Sequence, residues 1–390
     1  MLRCLIFILA LFGAAPAPAH DVHIDTSAGE AVLAAVVRAE LTPDDARRIA
    51  RLPANRRLVE RMLGYDSGAG EDRFVTELVA VARDRPIEGQ SWYGFEAVKR
   101  DRAAILRTVS ALDSGRADLI AWLGTRIGAF SPPVAPQRLT GYFVVGGRPA
   151  GFAFGGPDFY LNLAHFPDDP QAVRIITAHE LYHAVQGAAL QALGLGQQRG
   201  FRSSLFAALD TEAGRDRYLV EVLLGDLMNE GVATYVGDPA LLEGDGRYSR
   251  QERERADGQL RRVGRLTALL DMSLTALTSD RPLPYGDVYP VGFYGPDQPL
   301  YYLGYAMARA IARAQGDARL GILITGTGCG FARAYLDVAS RDPALPRLGA
   351  ATLRLIGAHC PQGAAGLSAA PSGSHRPGGH IRRSDRRSLP

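Results

Sequence analysis

The feature that most constrains this chain is a run at 172–193 that is apolar almost all round and holds two histidines and a glutamate. A helix without a polar face must lie deep inside a fold. Asp169 and Pro170 supply its start, as N-cap and first residue. Inside it stands Thr177-Ala178-His179-Glu180-Leu181-Tyr182-His183. Residues four apart on a helix share a face, so both imidazoles can reach one metal ion. Glu180 projects from the adjacent edge of that face, where it can take a proton from activated water and return it to a leaving amine. A chance match to His-Glu-x-x-His in a chain of this composition is on the order of one per cent. Polar groups in so apolar a helix are costly unless partnered, and a metal would partner them.

A catalytic zinc takes three protein ligands and keeps one position open. The segment 219–234 offers Glu221, Asp226 and Glu230. At 100° per residue Glu230 falls in the middle of the stripe formed by Leu219, Leu223, Leu227 and Thr234. Glu221 points to the opposite, solvated side. Asp226 lies near the stripe's edge, a candidate to orient a ligand histidine.

Around these helices the pattern is α+β and mostly helical. From His20 to 132 it reads as helical, with Thr42-Pro43-Asp44-Asp45 as a helix start and further helices at 71–85, 93–112 and 116–130. Segments 139–145 and 159–163 read as strands of a small sheet beside the motif helix, separated by a Gly-rich turn at 146–156. Further helices are expected at 215–236, 249–277 and from Gly304 to 314. The resulting division is a leader at 1–19, an N-terminal helical region at 20–132, a hydrolase domain at 133–360 and a disordered basic tail at 361–390. The leader has the form of a secretory signal peptide: Arg3, an apolar stretch at 5–12, then Ala17-Pro18-Ala19. The expected product is exported, periplasmic or secreted, and begins at His20. No apolar run reaches the roughly 20 residues of a membrane span, so no stable membrane insertion is expected once the leader is removed.

Charge narrows the partners. Of the formal +3, the tail at 374–390 carries +4 and Arg3 one more, which leaves −2 for residues 20–373. That body lacks the basic, aromatic-laced surface of a nucleic-acid binder. Cys329 and Cys360 are the two cysteines outside the leader; they form one disulfide or stay as thiols, according to whether their Cα atoms come within about 4.4–6.8 Å.

The sequence H-E-L-Y-H followed by Asn229-Glu230-Gly231-Val232-Ala233 resembles the gluzincin metallopeptidases. Within them it is most similar to a functionally uncharacterised bacterial family of zinc-dependent peptidases. The resemblance implies Zn²⁺ held by His179, His183 and Glu230, with Glu180 as general base and a peptide or protein as substrate. It also implies that strand 159–163 lies at a sheet edge and binds substrate as an added strand. Pro299-Leu300-Tyr301-Tyr302-Leu303-Gly304-Tyr305 is similar to the tyrosine-x-x-glycine helix start that places a phenol near the oxyanion. That match puts the role on Tyr301, with Tyr302 and Tyr305 as alternatives. The spacing from His183 to Glu230 is longer than in the thermolysin-like branch, and Thr234 stands where that branch carries aspartate, so the likeness brings no substrate preference. A zinc hydrolase of non-peptide amides or esters would share this site. A non-catalytic helical protein with a structural metal would have no use for Glu180.

Overall fold

In a computed structural model, which describes residues 20–132, 138–154, 156–192, 211–294 and 297–360, a small sheet lies against a helical body. The strands are β1 (Asp21–Asp25), β2 (Arg138–Val144), β3 (Gly151–Ala153) and β4 (Asp158–Asn162). Their order is β1-β2-β4-β3, with β1, β2 and β4 parallel and β3 antiparallel to β4. Val22 and Ile24 of β1 and Leu139 and Phe143 of β2 alternate into the core, as a half-buried sheet requires.

The N-terminal helices are α1 (Ser27–Ala35), α2 (Pro43–Ala50), α3 (Pro53–Leu63), α4 (Glu71–Ala82), α5 (Phe95–Ser114) and α6 (Arg116–Phe130). Thr42 starts α2 as its sequence promises, in a capping box with Asp45. After the sheet come α7 (Pro170–Ala192), α8 (Glu212–Val236), α9 (Arg247–Arg261), α10 (Val263–Leu277), α11 (Tyr285–Phe293), α12 (Pro299–Gln315), α13 (Ala318–Leu323), α14 (Gly328–Arg341) and α15 (Ala350–His359). The mostly helical α+β class is what the sequence led us to expect.

Four details differ from the sequence reading. The N-terminal region opens with β1, which pairs with β2, so strands from either side of residue 133 share one sheet. The helix expected at 249–277 is two helices, broken at Arg262. Helix α12 begins at Pro299, five residues before Gly304. Strand β4 is interior, and the edge belongs to β3, which lies within the expected turn. The leader and the tail fall outside the described residues.

Helix α7 occupies the middle of this arrangement, packed on α6, α8, β4 and β3. Asp169 caps it: Oδ1 accepts from the backbone N–H of Ala172 at 3.2 Å, and Oδ2 from that of Ser249 at 2.8 Å. The Tyr182 hydroxyl donates to the carbonyl of Phe130 at 2.9 Å, fixing α7 against the end of α6. Arg126 of α6 donates to the last carbonyls of α8, Tyr235 at 2.7 Å and Val236 at 2.9 Å, which suits a cation at a helix C-terminus. The N-terminal helices therefore clamp both helices that carry the site. Cys329 and Cys360 form a disulfide with Cα atoms 5.4 Å apart, joining α14 to the end of α15.

Candidate metal centre

Helices α7 and α8 bring His179, His183 and Glu230 to one point. The Nε2 atoms of the two histidines are 3.1 Å apart. Oε2 of Glu230 is 3.2 Å from Nε2 of His183 and 3.7 Å from Nε2 of His179. That oxygen is sealed from solvent and accepts no hydrogen bond of normal geometry. Donors held about 2.0–2.1 Å from a tetrahedral ion stand roughly 3.3–3.4 Å apart, so the triangle has the size of one face of a zinc site. Two imidazoles and a carboxylate are also the donor set of zinc hydrolases.

The electrostatics agree. Burial disfavours charge on His183, but Glu230 outweighs it, with help from Glu180 and Gln186, and raises the imidazole to about 9. Burial pushes the Glu230 carboxyl up, and His183 and His179 more than reverse it, holding the group well below the usual carboxylate range. The buried carboxylate is favoured by positive charge beside it, which a divalent ion would supply.

Gln186, one turn beyond His183, was not singled out from sequence. It is 5% exposed. Its Oε1 lies 2.7 Å from Nδ1 of His183, and its Nε2 donates to the carbonyl of Asn229 at 3.0 Å. With the proton on Nδ1 held by Gln186, Nε2 presents its lone pair to the centre. The same amide ties α7 to α8 next to Glu230. The three-residue spacing from His183 is the signal that could have revealed it. Asp226 instead accepts a hydrogen bond from the Tyr285 hydroxyl, and the Thr234 hydroxyl donates back to the carbonyl of Glu230 at 2.7 Å.

Glu221 corrects the helical-phase reading. It does face away from the Glu230 stripe, yet it is only 8% exposed. Its carboxylate accepts from the backbone N–H groups of Gly328 at 2.5 Å and Cys329 at 3.1 Å, at the N-terminus of α14.

The three tyrosines of α12 separate cleanly. The Tyr301 ring stacks on His179 with centroids 6.2 Å apart and planes 10° from parallel. Burial raises its phenol far above the ordinary value, reinforced by Glu230 and Tyr289, so it remains a neutral donor. Tyr302 donates to Glu252, and Tyr305 to Asp238 at 2.7 Å. What delivers Tyr301 is a close helix crossing: a side chain on Gly231 would strike the backbone of Gly304, and one on Gly304 would lie 2.8 Å from Cα of Gly231. The glycine after Glu230 and the glycine three residues after Tyr301 are each other's contact. They let α8 and α12 approach until phenol and carboxylate share a site.

Glu180 lies on the sheet side of the centre. A Cβ at Gly151 would stand 2.5 Å from its Cδ and Oε1, so its carboxyl group rests on the bare backbone of β3. The edge strand nearest the centre is therefore β3, where the sequence reading had placed strand 159–163.

The class these features define is a mostly helical α+β protein in which two imidazoles and one carboxylate are grouped as a set that could hold one metal ion. The chain belongs to the DUF5700 family, whose description reads "Putative zinc dependent peptidase" and whose profile matches residues 46–344. Zinc is thus the metal expected by both the family and the donor set. No curated protein and no solved structure matches the chain.

Proposed function

We infer that the protein is an exported zinc peptidase that hydrolyses peptide bonds with Glu180 as general base. The observation that carries this reading is the convergence of His179, His183 and Glu230 on one point, with the Glu180 carboxyl beside it at the sheet edge. Zinc held there supplies Lewis acidity, bringing water near neutrality in pKa and polarising a carbonyl. Glu180 takes the proton of the attacking water and passes it to the leaving amine. The Tyr301 phenol, neutral and facing the centre, donates to the oxygen that gains negative charge. Gln186 keeps the His183 tautomer correct for metal binding. The edge of β3 that faces away from β4 offers backbone groups on which an extended peptide can add as a strand.

Export rests on the leader and on the disulfide, which suits an oxidising compartment. His20 is already part of the fold, 6% exposed with Nε2 2.8 Å from the Ser131 hydroxyl, so cleavage after Ala19 leaves the fold whole. Among the described residues no helix is long and apolar enough to cross a membrane.

The test is cleavage of a fluorescence-quenched peptide library by zinc-loaded protein, with a chelator control and Glu180→Gln. Wild type should cleave in a chelator-sensitive way. Glu180→Gln should keep its zinc and lose about 100- to 10,000-fold in rate. A Glu180→Gln protein as active as wild type, and still chelator-sensitive, contradicts the assignment of the base.

A further inference from the structure

The connection from β2 into β3 is held more firmly than a three-residue edge strand needs for pairing alone. Asn162, at the end of β4, is fully buried. Its side-chain oxygen accepts from the backbone N–H groups of Gly146 at 3.0 Å and Ala164 at 3.1 Å. Its side-chain nitrogen donates to the carbonyls of Gly147 and Pro149, both at 3.2 Å. Its backbone N–H donates to the carbonyl of Ala150 at 2.8 Å. Gly146 and Gly147 have φ of 105° and 85°, values that favour glycine. Residues 146–150 are thereby locked in the positions that deliver Gly151 to its pairing with Leu161.

Gly151 then meets Glu180. Added to its backbone, a Cβ would lie 2.5 Å from Cδ and Oε1 of Glu180 and 2.7 Å from Cγ. These are its three nearest neighbours, and all belong to the far end of one side chain, so substitution would displace that side chain before it moved any backbone. Glycine in a strand commonly marks such a close approach.

We propose that Gly151 is a positioning residue for the reaction: its bare backbone is the slot that sets the place of the Glu180 carboxylate, and the Asn162 clamp sets the place of the slot. This rests on the reading of Glu180 as general base. The side chain of Glu180 has three rotatable bonds, and a misplacement of about 1 Å in a reacting group can cost on the order of 100-fold.

The experiment compares Gly151→Ala in three backgrounds: wild type, Glu180→Gln and Glu180→Asp. The substrate is a fluorescence-quenched peptide library, and the crystal structure of zinc-loaded Gly151→Ala is a readout independent of turnover. Gly151→Ala should keep about one zinc per chain and the wild-type secondary structure. Its kcat should fall roughly 10- to 100-fold, with KM changed little. In Glu180→Gln the same substitution should change nothing, because no base remains to displace. In Glu180→Asp the carboxyl carbon stands where Cγ of Glu180 lies, 2.7 Å from the new methyl group, so the substitution should still cost rate there. The crystal structure should show β3 in place and the Glu180 carboxyl moved. Equal losses in all three backgrounds, loss of zinc, or a shifted strand over an unmoved Glu180 would each overturn the proposal. So would full activity of Gly151→Ala while Glu180→Gln is inactive, an outcome that leaves the peptidase reading standing. An active Glu180→Gln removes both.

Discussion

Replacing Gln186 by leucine tests whether the centre depends on more than its ligands. The side chain is buried and spans the two site helices, holding Nδ1 of His183 at 2.7 Å and the Asn229 carbonyl at 3.0 Å. Leucine fills a similar volume and offers neither partner. Loss of a group that orients a ligand imidazole typically weakens metal binding about 10- to 100-fold, or roughly 1.4–2.7 kcal/mol. The apo protein should also lose stability, by about 1–3 kcal/mol for each buried polar group left without a partner. Competition for zinc against a chromophoric chelator at fixed pH measures the first effect. Urea unfolding of the metal-free protein measures the second. Gln186→Glu keeps an acceptor for His183 while losing the donor to Asn229, so it should hold zinc far better than the leucine variant. If Gln186→Leu binds zinc as tightly as wild type, Gln186 does not set the His183 tautomer and the reasoning fails.

Other expectations follow from particular contacts. Gly304→Ala should destabilise the protein by about 1–3 kcal/mol, because its methyl group would strike the Leu227 carbonyl oxygen and lie 2.8 Å from Cα of Gly231 where α8 and α12 cross; an unchanged melting temperature would contradict that packing. Cys360→Ala should lower unfolding free energy by about 4 kcal/mol, the entropy expected for a bridge between residues 31 apart; equal stability of the two proteins under oxidising conditions would argue that the bridge does not form. Glu221 gives a pH signature. Burial raises its carboxyl from the ordinary 4.5 to about 7, against the pull of the Cys329 and Gly328 amides. The folded protein therefore keeps this proton to higher pH than the unfolded chain, and wild type should lose stability relative to Glu221→Gln as pH rises from about 4.5 to about 7, then level off. A difference between the two that is flat with pH would refute it.

What the sequence made legible is what is local. His179 and His183 lie one turn apart on one helix, so spacing alone places both imidazoles on one face. Glu230 was legible because helical phase puts it on a stripe of leucines, where a carboxylate needs a partner. Phase also turned Glu221 away from that stripe, but it cannot tell that α14, rather than water, lies on the other side. The sheet was the harder part. β1 pairs with β2 across more than 110 positions of sequence, and no pattern within five residues announces such a partner. β3 has three residues inside a glycine-rich stretch, too few for an alternation to register. Missing it moved the sheet edge to the wrong strand and hid the contact between Gly151 and Glu180. Tyr301, Tyr302 and Tyr305 carry equal chemistry in sequence. Only the crossing of Gly231 with Gly304 decides which ring turns to the metal centre.

Zinc content of the purified protein tests the central claim most directly. After dialysis against metal-free buffer, wild type should retain about one zinc per chain by elemental mass spectrometry, as a mononuclear three-ligand site requires. His179→Ala, His183→Ala and Glu230→Gln should each retain almost none under the same dialysis while keeping wild-type secondary structure by circular dichroism. A wild-type protein that binds no zinc when it is supplied, or a Glu230→Gln variant that holds it as tightly as wild type, would contradict the account.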